Sequence, residues 1–280
     1  MSARILLCSD LDRTILPNGD QPESHAARPL LRRLLERPEV TLAYVSGRNR
    51  ALLEAAIVEY EIPVPSFAIG DVGTTIYQVD PDRGWRMWQA WSQEIAADWQ
   101  GVEAAAIIGG LQGIDGLVLQ PEEHQNTFKV SFDVDLATDR GDLLRRVHDR
   151  VARLEIDYSL TWSVDEAAQK GLLDILPRRA TKLHAVRFLM RHLDFSEADT
   201  VYCGDSGNDL PALSGGIPAV LVKNACREVR DEAVRLVEAD GCREKLYLAR
   251  GGYLGMNGNY TAGVLEGLAH FHPGITAWLG

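Results

Sequence analysis

Four cysteines in 280 residues leave little room for a disulfide framework or a thiolate metal centre. Cys8, Cys203, Cys226 and Cys242 form no close CxxC pair. The first two lie in apolar runs that read as buried strands, so all four are read as structural thiols of a reducing compartment. No apolar stretch approaches the length needed to span a bilayer, and no leader-like segment precedes the strand-like run that begins at Arg4 and Ile5. The expectation is a cytoplasmic protein with no membrane partner. Internal repeats and low-complexity tracts are missing, and so is any surplus of basic charge. The formal net charge is -11, which argues against a nucleic-acid partner because phosphate backbones repel an acidic surface. A small anionic substrate is still allowed, since a few local cations can dominate a pocket.

What is present is the material of a folded enzyme: 46% hydrophobic and 25% charged residues over a length that permits a large core. Arg4 to Cys8 is a short apolar run that ends in the polar cluster Ser9-Asp10-Leu11-Asp12-Arg13-Thr14. Ala26 to Glu36 places leucines at helical spacing, Val40 to Val45 is a second strand ending in Ser46-Gly47-Arg48-Asn49, and a second helix runs from Asn49 to about Tyr60. The pattern returns late in the chain. A helix over Thr181–Leu193 is followed by a strand at Thr200–Cys203 and the loop Gly204-Asp205-Ser206-Gly207-Asn208-Asp209. Pro211 then suits a helix start, Ala219–Val222 a strand, and Arg227–Val237 and Tyr260–Phe271 helices. Such alternation predicts an α/β fold with a Rossmann-like parallel-sheet core over residues 1–84 and 168–280. Residues 85–167 differ. They hold five of the six tryptophans, two alternating strand candidates at Phe128–Asp133 and Tyr158–Ser163, and an amphipathic helix over Asp142–Leu154. An inserted smaller α+β domain is expected there.

In parallel sheets chemistry gathers at the carboxyl ends of the strands, where the three polar clusters fall. Asp10 and Asp12 stand two residues apart, so strand-like backbone puts both carboxylates on one side, where they repel unless a cation or proton lies between them. Hard oxygen donors select magnesium. Ser46 offers a hydroxyl, Gly47 lets backbone approach an anion, and the next helix turns its positive end the same way. Asp205 and Asp209 add carboxylates, and Lys182 can offset them. Each feature alone also suits a solvated turn, a helix cap or a surface charge. Their joint placement at strand ends of one sheet is what favours chemistry.

DLDRT at residues 10–14, Ser46-Gly47-Arg48, Lys182 and GDSGND at 204–209 resemble the four ordered motifs of the haloacid-dehalogenase-like hydrolase superfamily, with the insertion placed as in its type-two-capped branch. Leu42 to Arg48, Asn126 to Ser131, Leu173 to Arg179 and Ala262 to Glu266 are similar to segments of the sucrose-phosphate phosphatase family, and the likeness runs over nearly the whole chain. The resemblance implies a magnesium-dependent phosphoric monoester hydrolase working through an aspartyl-phosphate. It implies Asp10 as nucleophile and Asp12 as general acid and then base. Magnesium would be held by the Asp10 carboxylate, the Asp12 carbonyl and Asp205, with Asn208 and Asp209 ordering that shell. Ser46, Gly47, Arg48, Lys182 and Asn208 would serve substrate binding.

The division of labour asks Asp12 to hold a proton at neutral pH, which the neighbouring charge of Asp10 should encourage. Arg13 departs from the family's small or amide residue, and Leu183-His184 from its glycine and asparagine. Specificity is expected from the insertion, where Lys129, the tryptophans and the polar run Glu122 to Asn126 are candidates to meet a sugar, with Arg178 a further candidate on the return to the core. For the individual tryptophans, packing is the simpler reading. The expected substrate is a phosphorylated disaccharide, sucrose 6-phosphate first and mannosylfructose phosphate next. A sugar phosphomutase and a non-catalytic sugar-phosphate-binding protein are the rival classes. The chain is expected to act as a monomer or small homo-oligomer.

Overall fold

The computed structural model describes residues 4–165 and 168–279, with Asp165 described by its backbone. Along the chain the first elements are β1 (Ile5–Ser9), α1 (Ala27–Leu35), β2 (Val40–Val45), α2 (Arg50–Glu59), β3 (Phe67–Gly70), β4 (Thr75–Asp80) and β5 (Gly84–Met87). A second group follows: α3 (Gln89–Trp99), α4 (Ala104–Leu111), β6 (Val118–Leu119), β7 (Val130–Asp135), α5 (Arg140–Val151), β8 (Tyr158–Asp165) and β9 (Lys170–Pro177). The last group is α6 (Lys182–Leu193), β10 (Thr200–Gly204), α7 (Leu210–Leu213), β11 (Ala219–Leu221), α8 (Arg227–Ala239), β12 (Leu246–Leu248), α9 (Thr261–Phe271) and α10 (Thr276–Leu279).

Two compact units result, one of Met1–Met87 with Lys182–Gly280 and one of Trp88–Thr181. The larger unit is built on an eight-stranded sheet in the order β12-β11-β10-β1-β2-β3-β4-β5. The six strands from β12 to β3 are parallel, and β4 and β5 add an antiparallel hairpin at one edge. β1 is wholly buried, as a strand in the middle of a parallel sheet must be when helices cover both faces. Its sequence, ILLCS, is for that reason an unbroken apolar run closed by a serine rather than an alternating one. The register pairs Ser9 with Tyr44 on β2 and with Cys203 on β10. The strand ends that carry the three polar clusters therefore stand side by side. Around them Leu7, Leu11, Leu31, Tyr44 and Val201 belong to one buried apolar cluster. Cys8 and Cys203 are buried free thiols, and Cys226 and Cys242 are free as well.

Local signals place the helix starts. Asn49 caps α2 by accepting the Leu52 amide at 3.0 Å, and Pro211 sits in the first turn of α7. The loop before α7 is locked by a capping box between Ser206 and Asp209.

The smaller unit is a four-stranded antiparallel sheet, β6-β7-β9-β8, with a core in which Trp99, Ile107, Leu111, Val147 and Val151 pack with Val130, Phe132 and Leu173. Its boundaries differ from the expected 85–167. Trp85 lies on β5, which pairs with β4 in the larger sheet and sets Trp85 against Tyr77 with their rings tilted at 60°. At the other end β9 pairs with both β7 and β8, so residues 168–181 belong with the insertion. The expected break after residue 167 itself falls outside the described residues. The simpler reading of two tryptophans holds: Trp91 and Trp99 are fully buried packing residues.

Leu7 lies on the central strand with no exposed surface. Leu7→Ala is expected to lower unfolding free energy by about 2–5 kcal/mol, read from a denaturant titration. A loss below about 1 kcal/mol would mean that the central strand is not packed as described.

Candidate active site

Asp10 follows β1 directly, its amide bonded to the Cys203 carbonyl at 2.9 Å, which ties the first residue beyond one strand to the neighbouring strand. Asp205 follows β10 and Ser46 follows β2. Carboxylate oxygens of Asp10, Asp205 and Asp209 all lie within 4.8 Å of one another, and all three residues are buried. Three buried carboxylates so close are costly without compensating positive charge. Lys182, at the start of α6, supplies part of it. Its ammonium donates to Asp10 Oδ1 at 2.9 Å, Asp209 Oδ1 at 2.8 Å and Asn208 Oδ1 at 3.1 Å. Burial alone would favour neutral lysine, but the charges of and hydrogen bonds to Asp10 and Asp209 outweigh it and hold the ammonium protonated.

Asp209 is saturated with donors. Oδ1 also accepts from the Tyr202 hydroxyl at 2.6 Å, and Oδ2 accepts the Asp205 and Ser206 amides and the Ser206 hydroxyl. Burial raises its pKa, but Lys182, Tyr202 and Ser206 together bring it below the usual carboxylate range. So many donors suit Asp209 to ordering its neighbours rather than to direct ligation. Gly204 makes this approach possible: a Cβ there would meet Asp209 Cγ at 2.6 Å.

Asp10 and Asp205 are left as the under-compensated acids. Burial pushes Asp10 well above the ordinary value; Lys182 opposes this, and the charges of Asp209 and Asp205 add to it. Asp205 is pushed up to about 7, by burial first and by Asp209 next, with Arg13 and Lys182 opposing. Thr14 Oγ1 lies 3.4 Å from its Oδ1. Two raised carboxylates facing one space are the donor set of a hard divalent cation, and magnesium fits it.

Asp12 takes a different place. Its carboxylate is gripped by Arg48 in a bidentate pair, Nε to Oδ2 at 2.9 Å and Nη2 to Oδ1 at 2.6 Å, and accepts Asn18 Nδ2 at 2.7 Å. Burial favours the neutral acid, but Arg48, Asn18 and the charge of Lys182 prevail and hold the pKa below the usual value. This corrects the expectation that Asp12 keeps its proton here. The expectation counted the negative charge of Asp10 and missed a guanidinium 36 residues away. The Asp12 carboxylate is thus held by Arg48 and Asn18 and stands outside the cluster of Asp10, Asp205 and Asp209, and Arg48, expected to bind substrate, is paired with it. Ser46 is buried, and its hydroxyl accepts the Arg48 amide at 3.2 Å, while Gly47 leaves the approach to the turn open.

Tyr202 and Asn18 were missed by sequence reasoning. Tyr202 sits in an apolar strand that reads as core, and Asn18 in a Pro-Asn-Gly run that reads as a turn.

Lys129 and Arg178 belong to the smaller unit. Lys129, 7% exposed, donates to the His124 carbonyl at 2.6 Å and lies 3.9 Å from Asp174. Asp174 also accepts the Ser131 hydroxyl, and Gln125 brackets the Ser131 backbone with both ends of its amide. Arg178 is exposed, 4.0 Å from Asp157.

The parallel sheet, the inserted unit and the acid set at the strand ends define the class: a haloacid-dehalogenase-like hydrolase, a phosphoric monoester hydrolase. Residues 3–272 match the family described as sucrose-6F-phosphate phosphohydrolase, and the chain belongs to that family. It is 53% identical to a putative haloacid-dehalogenase-like hydrolase of Nitrosococcus oceani, over 100% of this chain and 75% of that one. It is 29% identical to sucrose-phosphatase 1 of Nicotiana tabacum, over 98% of this chain but only 60% of that protein's length. The sucrose-phosphatase of Synechocystis sp., solved with sucrose and phosphate, superposes with a TM-score of 0.72 at 25% identity, covering 96% of this chain and 98% of that one.

Two outcomes follow from this geometry. Gly204→Ala is expected to cost about 1–3 kcal/mol in a denaturant titration, because Asp209 must move; an unchanged midpoint would contradict the close approach. A divalent cation taken up by Asp10 and Asp205 must displace the protons these raised acids hold, so apparent manganese affinity in calorimetry should weaken steeply as pH falls below about 7. An affinity flat from acid to neutral pH would contradict the raised acid.

Proposed function

We propose that the protein is a magnesium-dependent phosphatase for a phosphorylated disaccharide, sucrose 6-phosphate first, acting through an aspartyl-phosphate on Asp10. The observation that carries this reading is the Lys182 ammonium bridging Asp10, Asn208 and Asp209 at the ends of adjacent parallel strands. That bridge orients Asp10 and fixes positive charge where phosphoryl oxygens would sit. Magnesium held by Asp10 and Asp205 supplies further charge to offset that of the phosphoryl group.

In the first step an Asp10 oxygen attacks phosphorus in line, the bond to the sugar oxygen breaks, and that oxygen takes a proton from Asp12. In the second, water gives a proton to the Asp12 carboxylate and attacks phosphorus, the bond to Asp10 breaks, and inorganic phosphate leaves. Splitting the hydrolysis this way replaces one difficult displacement with two easier ones. The Arg48 pair favours the carboxylate form of Asp12, which is the form the second step uses. Protonation for the first step requires that pair to open. Ser46, Gly47 and Lys182 hold the phosphoryl oxygens, and Asn208 keeps Lys182 aimed. The disaccharide assignment is supported by the family match over residues 3–272, with Lys129 and Arg178 offered by the smaller unit for the sugar. The chain is read as cytoplasmic and as independent of membranes; among the described residues no helix is long and apolar enough to cross one.

Asp10→Asn should reduce phosphate release to background while the circular dichroism spectrum stays unchanged; substantial turnover would remove Asp10 as the nucleophile. EDTA should silence the enzyme and magnesium restore it. In a phosphate-release screen, phosphorylated disaccharides should exceed monosaccharide phosphates. Phosphate returned to the sugar rather than released would indicate a phosphomutase instead.

A further inference from the structure

The loop that follows the nucleophile is held in a manner that family motifs do not explain. Arg13 has a left-handed backbone, φ 59°, which a side-chain-bearing residue adopts at a cost of order 1 kcal/mol unless neighbours impose it. Two asparagines impose it. The Arg13 amide donates to Asn18 Oδ1 at 2.8 Å, and the Arg13 carbonyl accepts Asn224 Nδ2 at 2.6 Å. Asn224 is itself buried, and its Oδ1 accepts the Tyr260 amide at 2.8 Å. Both sides of the Arg13 peptide are therefore fixed, one from within the loop and one from a strand end more than 200 residues away.

The clamped backbone fixes the direction in which the side chain leaves it, toward Asp205. Arg13 Nε lies 3.3 Å from Asp205 Oδ2, with 40% of the arginine side chain exposed against 4% of the aspartate's. The same nitrogen is shielded from solvent and makes no hydrogen bond among the described residues, so charge rather than a directed bond holds it there. Asp205 thus carries a cation of its own on one side while facing the Asp10–Asp209 cluster on the other.

We propose that Arg13 is a built-in counter-cation to Asp205, positioned by Asn18 and Asn224, and that it lowers the affinity of the acid cluster for a divalent cation. The inference rests on the cation site proposed above and concerns how tightly that site binds. A fixed unit charge a few ångströms from a divalent ion repels it even where solvent partly screens the pair. The clamp fixes the direction in which the side chain leaves the backbone, and the guanidinium nitrogen nearest Asp205 is shielded from solvent, so the charge stands beside the acid before an ion arrives. The effect is a cation that exchanges readily instead of one sealed into three carboxylates.

The test is manganese binding to the intact protein, read from the free-ion electron paramagnetic resonance signal, with no substrate present. Arg13→Asn removes the charge and tolerates the left-handed backbone; Arg13→Gly removes both charge and strain; Arg13→Lys keeps the charge on a strained backbone. Asparagine and glycine variants are expected to bind manganese about tenfold more tightly than the original chain, and the lysine variant within about threefold of it. Equal affinity in all four proteins would overturn the proposal and leave the cation site intact. Tightening in all three variants alike would also overturn it, because strain or contact rather than charge would then be responsible. If even the original chain bound no manganese, the cation site itself would fall, and this inference with it.

Discussion

One ammonium group among buried acids organises the larger unit. Lys182 reaches carboxylates from two separate strand ends, and each would be costly to bury without it. Removing one partner of such a network leaves another charge stranded, so the group is all-or-nothing in a way that surface ion pairs are not. Everything around it serves to keep it assembled. Tyr202 and the Ser206 loop saturate Asp209, Gly204 makes room for it, and Asn208 shares the lysine. The compensation is uneven, and that unevenness is where chemistry can enter: Asp209 is fully satisfied, while Asp10 and Asp205 are not.

The sheet order explains why these groups meet. Parallel neighbours β10, β1 and β2 end together, so loops far apart in sequence open onto one place. A second ion pair, Asp12 with Arg48, joins the ends of β1 and β2 and separates the two acids of the DxD motif. One carboxylate faces the lysine and the other the arginine. Two acids that are equivalent in sequence spacing thus acquire opposite electrostatic settings, which is the usual route by which paired carboxylates take distinct roles.

Much of this was legible in the sequence, and the gaps have definite causes. β1, β2, β10 and β11 were visible because buried parallel strands are short unbroken apolar runs closed by polar turns, and the acids and Lys182 could be placed because they abut those runs. The run β3-β4-β5 lacks that pattern, ending in a strand, GWRM, that is largely exposed. β9, KGLLDILP, reads ambiguously because its apolar residues neither alternate nor space helically, so the end of the insertion was placed too early. The protonation of Asp12 was not legible at all. It depends on an arginine brought in by the neighbouring strand, and no spacing rule announces that contact.

The seam between the two units falls at Thr181 and Lys182, so the first residue after the insertion is the lysine that organises the acids. The insertion is therefore not hung from an indifferent surface loop at that end. Lys182 is also the first residue of α6, whose buried Ala185, Val186, Phe188 and Leu189 set the phase of that helix and with it the aim of the ammonium. A residue inserted between Lys182 and that buried face would turn the lysine about a hundred degrees around the helix axis and lose the site.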